Sequence, residues 1–434
     1  MWIAGKCCYN PSPSLQSHAA KGSPMTQLRF FPSRTLLAIA CGGFITIGLP
    51  ALSSNPIVNS SALHATETQA ALPTRAEVRA LAEQAKAWIL DQQQEDGSFF
   101  SGDMFKLGIT VFSALGLIEN GIDPKDERIQ KALEWILSHR QPDGGIYDPA
   151  QGLGNYSTSV TLMILARIPD ADPEIVRSAQ NYIFGLQNTD AESSNYGGIG
   201  YGSRGQTNED LSNTSMAIEG LRASGIPADH PAMQRALKFV TRCQNLSSHN
   251  DMEWAGDDGG GVYSPDSSFA GGSFHDGREA PRPEAGTRGG AVRLASYGSM
   301  TYALIKSYMS LDVPPEDPRV QAALRWVTEN YQFDRNPGMA ARSDQEGLFY
   351  YYLMMAATFD LLEKDVIAAP AGASDWRTDL FATIQKRAQH LESADGSVRT
   401  FWINEAPRWA EGIPNLTTTY MLRVLARIHN SLPE

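Results

Sequence analysis

Cysteine is scarce in this chain, and its distribution limits the chemistry that the protein can use. Of four cysteines, Cys7, Cys8 and Cys41 lie before residue 70, which leaves Cys243 alone in the remainder. A single cysteine cannot form an intrachain disulfide, and it cannot supply the paired thiolates of a zinc–cysteine site. Histidine pairs at metal-ligand spacing are also missing from the sequence. We therefore predict no metal, no cofactor and a fold that is held together by packing.

Basic residues are also fewer than acidic ones. The 434 residues include 36 Lys and Arg against 48 Asp and Glu, which gives a formal net charge of −12. Because nucleic-acid binding calls for a basic face, this balance argues against a nucleic-acid partner. Hydrophobic residues make up 42% of the chain, which is enough to bury a large core and argues against wholesale disorder.

The first 70 residues differ from the rest of the chain. Arg29 and Arg34 precede an apolar run at 35–52, and small-residue patterns typical of cleavage sites follow this run. This order predicts an export signal and a domain at 71–434 that resides in the periplasm or cell envelope. The alternative is an uncleaved anchor that keeps the protein near a membrane, since 18 apolar residues nearly span a bilayer. Met25 is an alternative start of translation.

The remainder of the chain is built from a repeat. An amphipathic segment with a central aromatic residue leads to a Gln and then to a Gly-rich turn, as in EDGSFF at 95–100 and PDGGIY at 142–147. The central aromatic residues Trp88, Trp135 and Tyr182 are each 47 residues apart. A nearly all-apolar segment follows each turn. A period of this length indicates stacked helix pairs, with amphipathic outer helices and inner helices that are buried on both sides.

Six outer and six inner segments alternate along the chain, which predicts an all-α (α/α)6 toroid with two concentric rings of helices. The alternative is an open superhelix, which needs polar repeats at both ends. The last repeat is as apolar as the middle ones, and this favours a closed ring. Since Gly supplies backbone angles that other residues resist, the repeated turn is predicted to be structural and not catalytic.

The succession of aromatic, apolar, Gln, Gly and aromatic residues resembles the QW-type repeat of squalene–hopene cyclases, whose relatives include the protein prenyltransferase β subunits. The resemblance spans roughly residues 75 to 430. It implies a helical toroid around a cavity for an isoprenoid or another apolar ligand. The zinc-dependent relatives require Cys and His ligands at spacings that this chain lacks, so zinc-dependent prenyl transfer is not predicted.

The proton donor of such cyclases comes from a D-x-D-D-T motif at the start of an inner helix, and the best match here is DLSNT, which begins at Asp210. Thr214 also fits, whereas Ser212 and Asn213 stand where the resemblance implies the second and third Asp. Since the middle Asp is expected to donate the proton and a serine cannot protonate an alkene, the usual acid is missing. Asp210 or Glu209 is a candidate substitute acid. The alternative for Asp210 is the N-cap of the helix that follows.

A Gly-, Ser- and Asp-rich insert at 247–295 joins the fourth outer helix to the fourth inner one. Its position predicts that it lies over the ring end where the inner helices begin, and loops of this length are usually functional or disordered. Asp257 and Asp258 are its foremost candidate acids. The wider set of candidates for a cation site or an acid pair is His249, Asp251, Asp257, Asp258, His275 and Asp276. The alternative is a solvated lid whose Asp residues shape turns.

Polar and aromatic residues collect where the inner helices begin, and these starts face one end of the ring. Tyrosines in such a place line an apolar pocket and can contact a cationic ligand or intermediate, whereas ordinary packing between the two rings is the alternative. The candidate ligand-binding residues are Asn213, Thr214, Tyr297, Ser299, Tyr302, Glu346, Tyr350, Tyr351, Asn415 and Thr418.

Three functions are compatible with these residues. The first is a non-catalytic toroid that binds a long isoprenoid-like lipid or a partner, and the missing acid favours it. The second is a terpenoid cyclase with a substitute acid, which the aromatic residues support. The third is a polysaccharide hydrolase or lyase with carboxylates such as Asp257, Asp258 and Glu346. An acidic groove rimmed by Trp254, Trp402 and Trp409 would favour it.

Overall fold

The computed structural model describes residues 71–202, 208–270, 293–393 and 396–434. The predicted leader and its export signal lie outside the described residues. The outer helices are α1 (Arg75–Asp91), α3 (Glu127–Leu137), α5 (Pro173–Gly185), α7 (Pro231–Arg242), α9 (Pro318–Glu329) and α11 (Trp376–Arg387). The inner helices are α2 (Lys106–Glu119), α4 (Gly154–Leu165), α6 (Leu211–Ala223), α8 (Gly298–Ser310), α10 (Leu348–Leu361) and α12 (Pro414–Ser431). In the described ranges, none of these helices is long and apolar enough to cross a membrane.

The inner helices form a closed ring. Each packs against the inner helices before and after it, and α12 packs against α2. At this closure Ser113 Oγ and Thr419 Oγ1 lie 3.2 Å apart, and Asn120 Nδ2 donates to Leu422 O at 2.8 Å. A Cβ on Gly116 would lie only 3.1 Å from Thr419 Cγ2, so the two helices are in close contact. The protein is an all-α (α/α)6 toroid, as the alternation of segments predicts.

The two rings bury their helices differently, as their sequence patterns require. On α3, an outer helix, only Ile129, Ala132 and Ile136 are buried, at the spacing of one helical face. On α10, an inner helix, 11 of the 14 residues are buried. The core therefore lies between the rings and inside the inner ring, and the inner helices carry the side chains that reach the ring axis.

The geometry of the Gly-rich turns explains why they repeat. Gly97, Gly144, Gly197 and Gly259 have φ values between 83° and 95°. A Cβ on any of them would lie 2.5 Å or less from a backbone carbonyl oxygen of the next outer helix. The left-handed backbone and the close approach both exclude a side chain. The turns thus press each helix pair against the next, which is the structural role that the sequence predicts.

A threonine on the inner helix holds the same turn. In five units its hydroxyl oxygen accepts a hydrogen bond of 2.9–3.1 Å from a backbone N–H of the turn. The acceptors are Thr110, Thr158, Thr214, Thr301 and Thr418. Thr214 and Thr418, which the sequence offers as ligand-binding residues, therefore have structural partners.

Two short hairpins lie in the last repeat, where the sequence predicts none. β1 (Val366–Ala369) pairs with β2 (Gly372–Asp375), and β3 (Gln389–Glu392) pairs with β4 (Val398–Phe401), both in antiparallel register. β4 packs against α1, where Phe401 stacks on Trp88 with ring centroids 5.2 Å apart. The second hairpin thus covers part of the first outer helix.

Candidate functional site

Three hydroxyl groups meet at the ring end where the inner helices begin, which we call the mouth. Tyr156 lies near the start of α4, Ser212 near the start of α6 and Tyr350 near the start of α10. Ser212 Oγ is 2.7 Å from Tyr156 OH and 2.8 Å from Tyr350 OH. Because α8 stands between α6 and α10 in the ring, the contact with Tyr350 reaches across the interior. These three residues, the hydroxyl trio, therefore lie towards the ring axis.

Asp210 is the N-cap of α6, and only 1% of its surface is exposed. Its Oδ1 accepts from Asn213 N at 2.8 Å, and its Oδ2 accepts from Asn213 Nδ2 at 2.7 Å and from Tyr263 OH at 2.8 Å. Tyr263 OH is in turn 2.9 Å from Tyr201 OH. Burial raises the pKa of Asp210 to about 7, although these hydrogen bonds favour the charged form. Asn213, predicted to bind ligand, thus holds Asp210.

A second buried carboxyl group, that of Glu411, caps α10 from outside the helix. Its Oε1 accepts from Tyr350 N at 2.7 Å, and its Oε2 accepts from Phe349 N at 3.2 Å and from Asn404 Nδ2 at 2.6 Å. Burial raises the pKa of Glu411 to about 7. Glu411 is therefore hydrogen-bonded to the backbone of Tyr350, whose hydroxyl group belongs to the trio.

Aromatic rings surround the hydroxyl trio. The ring centroids of Tyr156 and Tyr201 are 6.0 Å apart, and those of Tyr350 and Tyr420 are 6.2 Å apart. Tyr420 lies 5.7 Å from Phe112 on the neighbouring α2. Tyr156, Tyr201 and Tyr350 are only half-buried, unlike most side chains of the inner helices. Parts of these rings therefore face open space.

The rim of the mouth includes a short 3-10 helix (Arg408–Ala410), in which Trp409 is 41% exposed. The Trp409 ring lies 5.2 Å from Phe269, and the Arg408 guanidinium carbon lies 4.7 Å and 4.9 Å from these two rings. Arg408 Nη1 pairs with Glu346 Oε2 at 2.8 Å, so Glu346 has an ionic partner. Trp409 and Ala410 have φ values of 55° and 65°. Residues other than Gly adopt this left-handed backbone only at a cost in energy. Strain of this kind concentrates at functional segments.

Five other predicted ligand-binding residues are buried, and their contacts are those of packing between elements. Tyr351 OH donates to Gln332 O at 2.8 Å, and Asn415 Nδ2 donates to Phe99 O at 2.7 Å. Tyr302 packs against Tyr351, with ring centroids 5.5 Å apart. The five are Tyr297, Ser299, Tyr302, Tyr351 and Asn415. Tyr350, by contrast, is half-buried.

Asp257 and Asp258 lie in the Gly-rich turn after α7, and both are exposed. Asp257 Oδ1 accepts from Ser247 Oγ at 2.6 Å. Asp258 Oδ1 accepts from Gly260 N at 2.8 Å and from Ser296 Oγ at 2.7 Å. Bonds of this kind shape turns. Neither carboxylate is hydrogen-bonded to the hydroxyl trio within the described ranges.

The insert contributes aromatic residues to the mouth that sequence reasoning missed. Tyr263 and Phe269 lie in its described part, where Tyr263 bonds to Asp210 and Phe269 packs on Trp409. His275 and Asp276 lie outside the described residues. Within the described residues, no three His, Cys, Asp or Glu side chains form a group that could hold a metal ion.

The tryptophans expected at the rim do not share one environment. Trp402 is fully buried, and its Nε1 donates to Ile384 O at 2.8 Å. Trp254 is also buried, whereas Trp409 is exposed. Of the three, Trp409 is therefore the one that offers a ring face to solvent.

Comparison with known proteins supports the fold. No family model matches the chain, and no curated protein matches it. Among solved structures, the chain is similar to a D-mannose isomerase, with 9% identity, a TM-score of 0.50, and coverage of 83% of this chain and 100% of that one. It is also similar to an α-1,6-mannanase from Salegentibacter sp. HEL1_6, with 10% identity, a TM-score of 0.49 and coverage of 82% and 100%.

A type II terpene cyclase from Scytonema, in complex with geranylgeranyl dihydroxybenzoate, is a further similar structure. It has 12% identity, a TM-score of 0.44 and coverage of 82% of this chain and 99% of that chain. At such identities the likeness is one of fold alone. Because a fold does not by itself imply a function, the function has to be argued from the residues at the mouth.

Proposed function

We propose that this protein binds an apolar, isoprenoid-like molecule at the mouth and releases it unchanged. The environment of Ser212 carries the proposal. In the cyclases that the repeat resembles, this position is expected to hold the proton-donating Asp. Here it holds a hydroxyl group between two phenol oxygens, at 2.7 and 2.8 Å. Neither a serine nor a neutral phenol is acidic enough to protonate an alkene.

Asp210 is badly placed to supply the missing acid. Both of its oxygens accept hydrogen bonds, from the backbone and side chain of Asn213 and from Tyr263 OH. A general acid must direct its own proton at the substrate, so geometry is judged before the pKa. The arrangement of Asp210 is that of a helix cap, and this supports binding over cyclisation.

The wall of the mouth suits an apolar and unsaturated molecule. Tyr156, Tyr201 and Tyr350 are half-buried and expose parts of their rings, and Trp409 extends the apolar surface at the rim. Ligand sites are concave and mostly apolar, with few polar groups that fix orientation. The resemblance of the repeat to isoprenoid-handling proteins adds an argument by analogy.

Mass spectrometry on the full-length protein tests this function. The purified protein is incubated with squalene or with geranylgeraniol, separated from free ligand and extracted with organic solvent. We expect the added compound to be recovered unchanged, at a saturable ratio to protein. Tyr350→Ala should weaken retention, whereas Leu361→Ala, an exposed apolar position at the other end of α10, should not. A product of equal mass and shifted retention time would show cyclisation instead, and recovery of neither compound would refute the proposal.

Acid–base hydrolysis of a glycan is the second candidate, and one observation favours it. Asp210 and Glu411 are both buried, and burial raises the pKa of each to about 7. Carboxyl groups with pKa values near neutrality are suited to general acid–base catalysis, provided that the substrate displaces hydrogen bonds that Asp210 and Glu411 now accept. This hypothesis requires that the protein release reducing ends from a polysaccharide, and that Asp210→Asn and Glu411→Gln abolish the release. Glu405→Gln, at an exposed position in the same loop as Glu411, is the control.

A further inference from the structure

We infer that the hydroxyl trio recognises a single neutral alcohol group, so that the preferred ligand is an isoprenoid alcohol. The inference rests on the proposed binding function, because it specifies the polar end of the same ligand. It follows from the number of protons and acceptors that Tyr156, Ser212 and Tyr350 bring to the mouth. Unlike the threonines and Asp210, these three hydroxyl groups bond only to one another, and none of them bonds to a backbone group within the described residues.

The trio has one proton more than it can use internally. Its three hydroxyl groups carry three protons, but they share two hydrogen bonds, both to Ser212 Oγ. Within the described residues, no other partner contacts these three oxygens at hydrogen-bond distance. Whichever way the three O–H bonds turn, one proton therefore lacks an internal acceptor, and the phenol oxygens keep lone pairs. The trio can donate one hydrogen bond and accept one at the same place.

An alcohol satisfies both requirements at once. Its oxygen accepts the remaining proton, and its own proton bonds to a phenol oxygen. A hydrocarbon satisfies neither requirement, and it would leave a donor unpaired beside apolar surface, which is costly. A ketone or an ether accepts but does not donate.

Charged head groups fit the same place poorly. Asp210 caps the helix that carries Ser212, and Glu411 accepts from Tyr350 N at 2.7 Å. A phosphate group at the trio would lie near both carboxyl groups, and it would be repelled whenever they are ionised. An ammonium group only donates, so it cannot accept the remaining proton. The guanidinium group of Arg408 at the rim is paired with Glu346.

The position of the trio allows such a molecule to extend along the wall. The bond between Ser212 and Tyr350 crosses the ring interior, and the rings of Tyr350, Tyr420 and Phe112 follow one another from α10 to α2. A hydroxyl group at the trio would therefore lie beside the half-buried rings of Tyr156 and Tyr350. One polar contact beside an apolar wall is typical of small-molecule sites.

Equilibrium dialysis of the full-length protein with four probes tests the inference. The probes share one chain and differ in the head group: geranylgeraniol, the hydrocarbon in which hydrogen replaces the hydroxyl group, geranylgeranyl amine and geranylgeranyl diphosphate. We expect the alcohol to bind roughly tenfold or more tightly than each of the other three. Tyr350→Phe and Ser212→Ala should reduce its advantage over the hydrocarbon to less than about threefold. Tyr351→Phe is the matched control, because its hydroxyl group bonds to Gln332 O.

The possible outcomes separate the inference from the function on which it rests. Equal affinity for the alcohol and the hydrocarbon overturns the role of the trio and leaves apolar binding intact. A preference for the diphosphate or the amine overturns it in favour of a charged head group. Binding of none of the four probes refutes both. Since the unaltered protein is compared across probes, a variant that fails to fold does not obscure the result.

Discussion

The two ends of the inner ring are built in opposite ways. At the mouth, hydroxyl, amide and aromatic groups surround the axis, and the hydroxyl trio keeps a donor without a partner among the described residues. At the other end, where the inner helices finish, each helix or the segment directly after it contributes a charged side chain, and the sign alternates around the ring. In ring order from α2 to α12, this charged belt consists of Glu119, Arg167, Glu219, Lys306, Asp360 and Arg423, with Arg427 beside Arg423.

The central members of the charged belt are paired with one another. Arg423 Nε is 2.8 Å from Glu119 Oε2, and Arg423 Nη2 is 3.0 Å from Glu219 Oε1, across the ring from α12 to α6. Lys306 Nζ is 2.7 Å from Glu219 Oε2. A satisfied polar network rigidifies a core. The contrast teaches that ion pairs hold one end of the ring together, whereas hydroxyl and aromatic groups line the other end, where we propose that a ligand binds.

Loss of the central cation of the belt should have the largest effect. Arg423 is 1% exposed, and Arg423→Met removes the cation that lies within 3.0 Å of both Glu119 and Glu219, so that Arg427, 3.8 Å from each, remains as their shared partner. Removal of one member of a buried pair costs about 3–5 kcal/mol when the other is left uncompensated, which is the upper limit for this variant. Urea denaturation measures this loss in the free energy of unfolding. Arg128→Met, outside the belt, is the control, since its side chain is 48% exposed and such pairs contribute about 1 kcal/mol or less. Equal losses in the two variants would mean that the belt does not fasten the ring.

Truncation of the buried cap at the mouth should have the next largest effect. Asp210→Ala removes an N-cap, at a cost of about 1 kcal/mol, and leaves Asn213 Nδ2 and Tyr263 OH without their acceptor, at about 1–2 kcal/mol more. Asp172→Ala is the control, because Asp172 caps the exposed start of α5 through Glu174 N at 2.8 Å, and we expect it to lose only the capping energy. If the two variants lost equal stability, the bond from Tyr263 would contribute nothing.

The sequence predicts the helices of the toroid better than it predicts the side-chain contacts at either end of the inner ring. Periodicity identifies twelve helices because one face or all faces of each segment are apolar, and that pattern is local. The DLSNT motif and the Tyr-rich start of α10 place Asp210, Asn213 and Tyr350 at the mouth. The role of Glu411 could not be predicted, because Glu411 precedes α12 in the chain but accepts a hydrogen bond from the start of α10. Tyr263 escapes prediction because it reaches α6 from the insert.

The charged belt escapes prediction for the same reason. Each of its charges occupies an ordinary position near the end of a helix, and a single helix gives no sign that these ends meet. Glu219 and Arg423 are 204 residues apart in the chain but paired in the ring. Contacts between distant segments depend on the closure of the toroid, which a local pattern does not contain.

The pH dependence of stability should have opposite signs at the two ends. Burial raises the pKa of Asp210 from 3.8 to about 7, so the native state holds more protons than the unfolded chain between these values. Its contribution is complete below pH 3.8 and is lost as the pH rises through 7. Burial also disfavours the Glu219 carboxylate, but Lys306 and Arg423 outweigh it and hold its pKa below the usual 4.5. The contribution of Glu219 is therefore present above pH 4.5 and is lost as the pH falls.

Two variants separate these contributions. Relative to the wild type, Asp210→Asn should gain stability as the pH rises from about 5 to 7, by up to about 1.4 kcal/mol per pH unit. Glu219→Gln should instead gain relative stability as the pH falls below 4.5. Urea denaturation at a series of pH values measures both differences. The same sign for the two variants would contradict the contrast between the mouth and the charged belt.

The smallest effect concerns the backbone at the rim, where Trp409 has a φ of 55°. Alanine keeps this strain, whereas glycine relieves it, because a residue without a Cβ adopts the left-handed region freely. We therefore expect Trp409→Gly to be about 1 kcal/mol more stable than Trp409→Ala. Both variants lose the exposed indole, so both should weaken ligand retention equally. A lower stability of the Gly variant in thermal unfolding would show that the rim is not strained, and unequal retention would show that the backbone, and not the ring, holds the ligand.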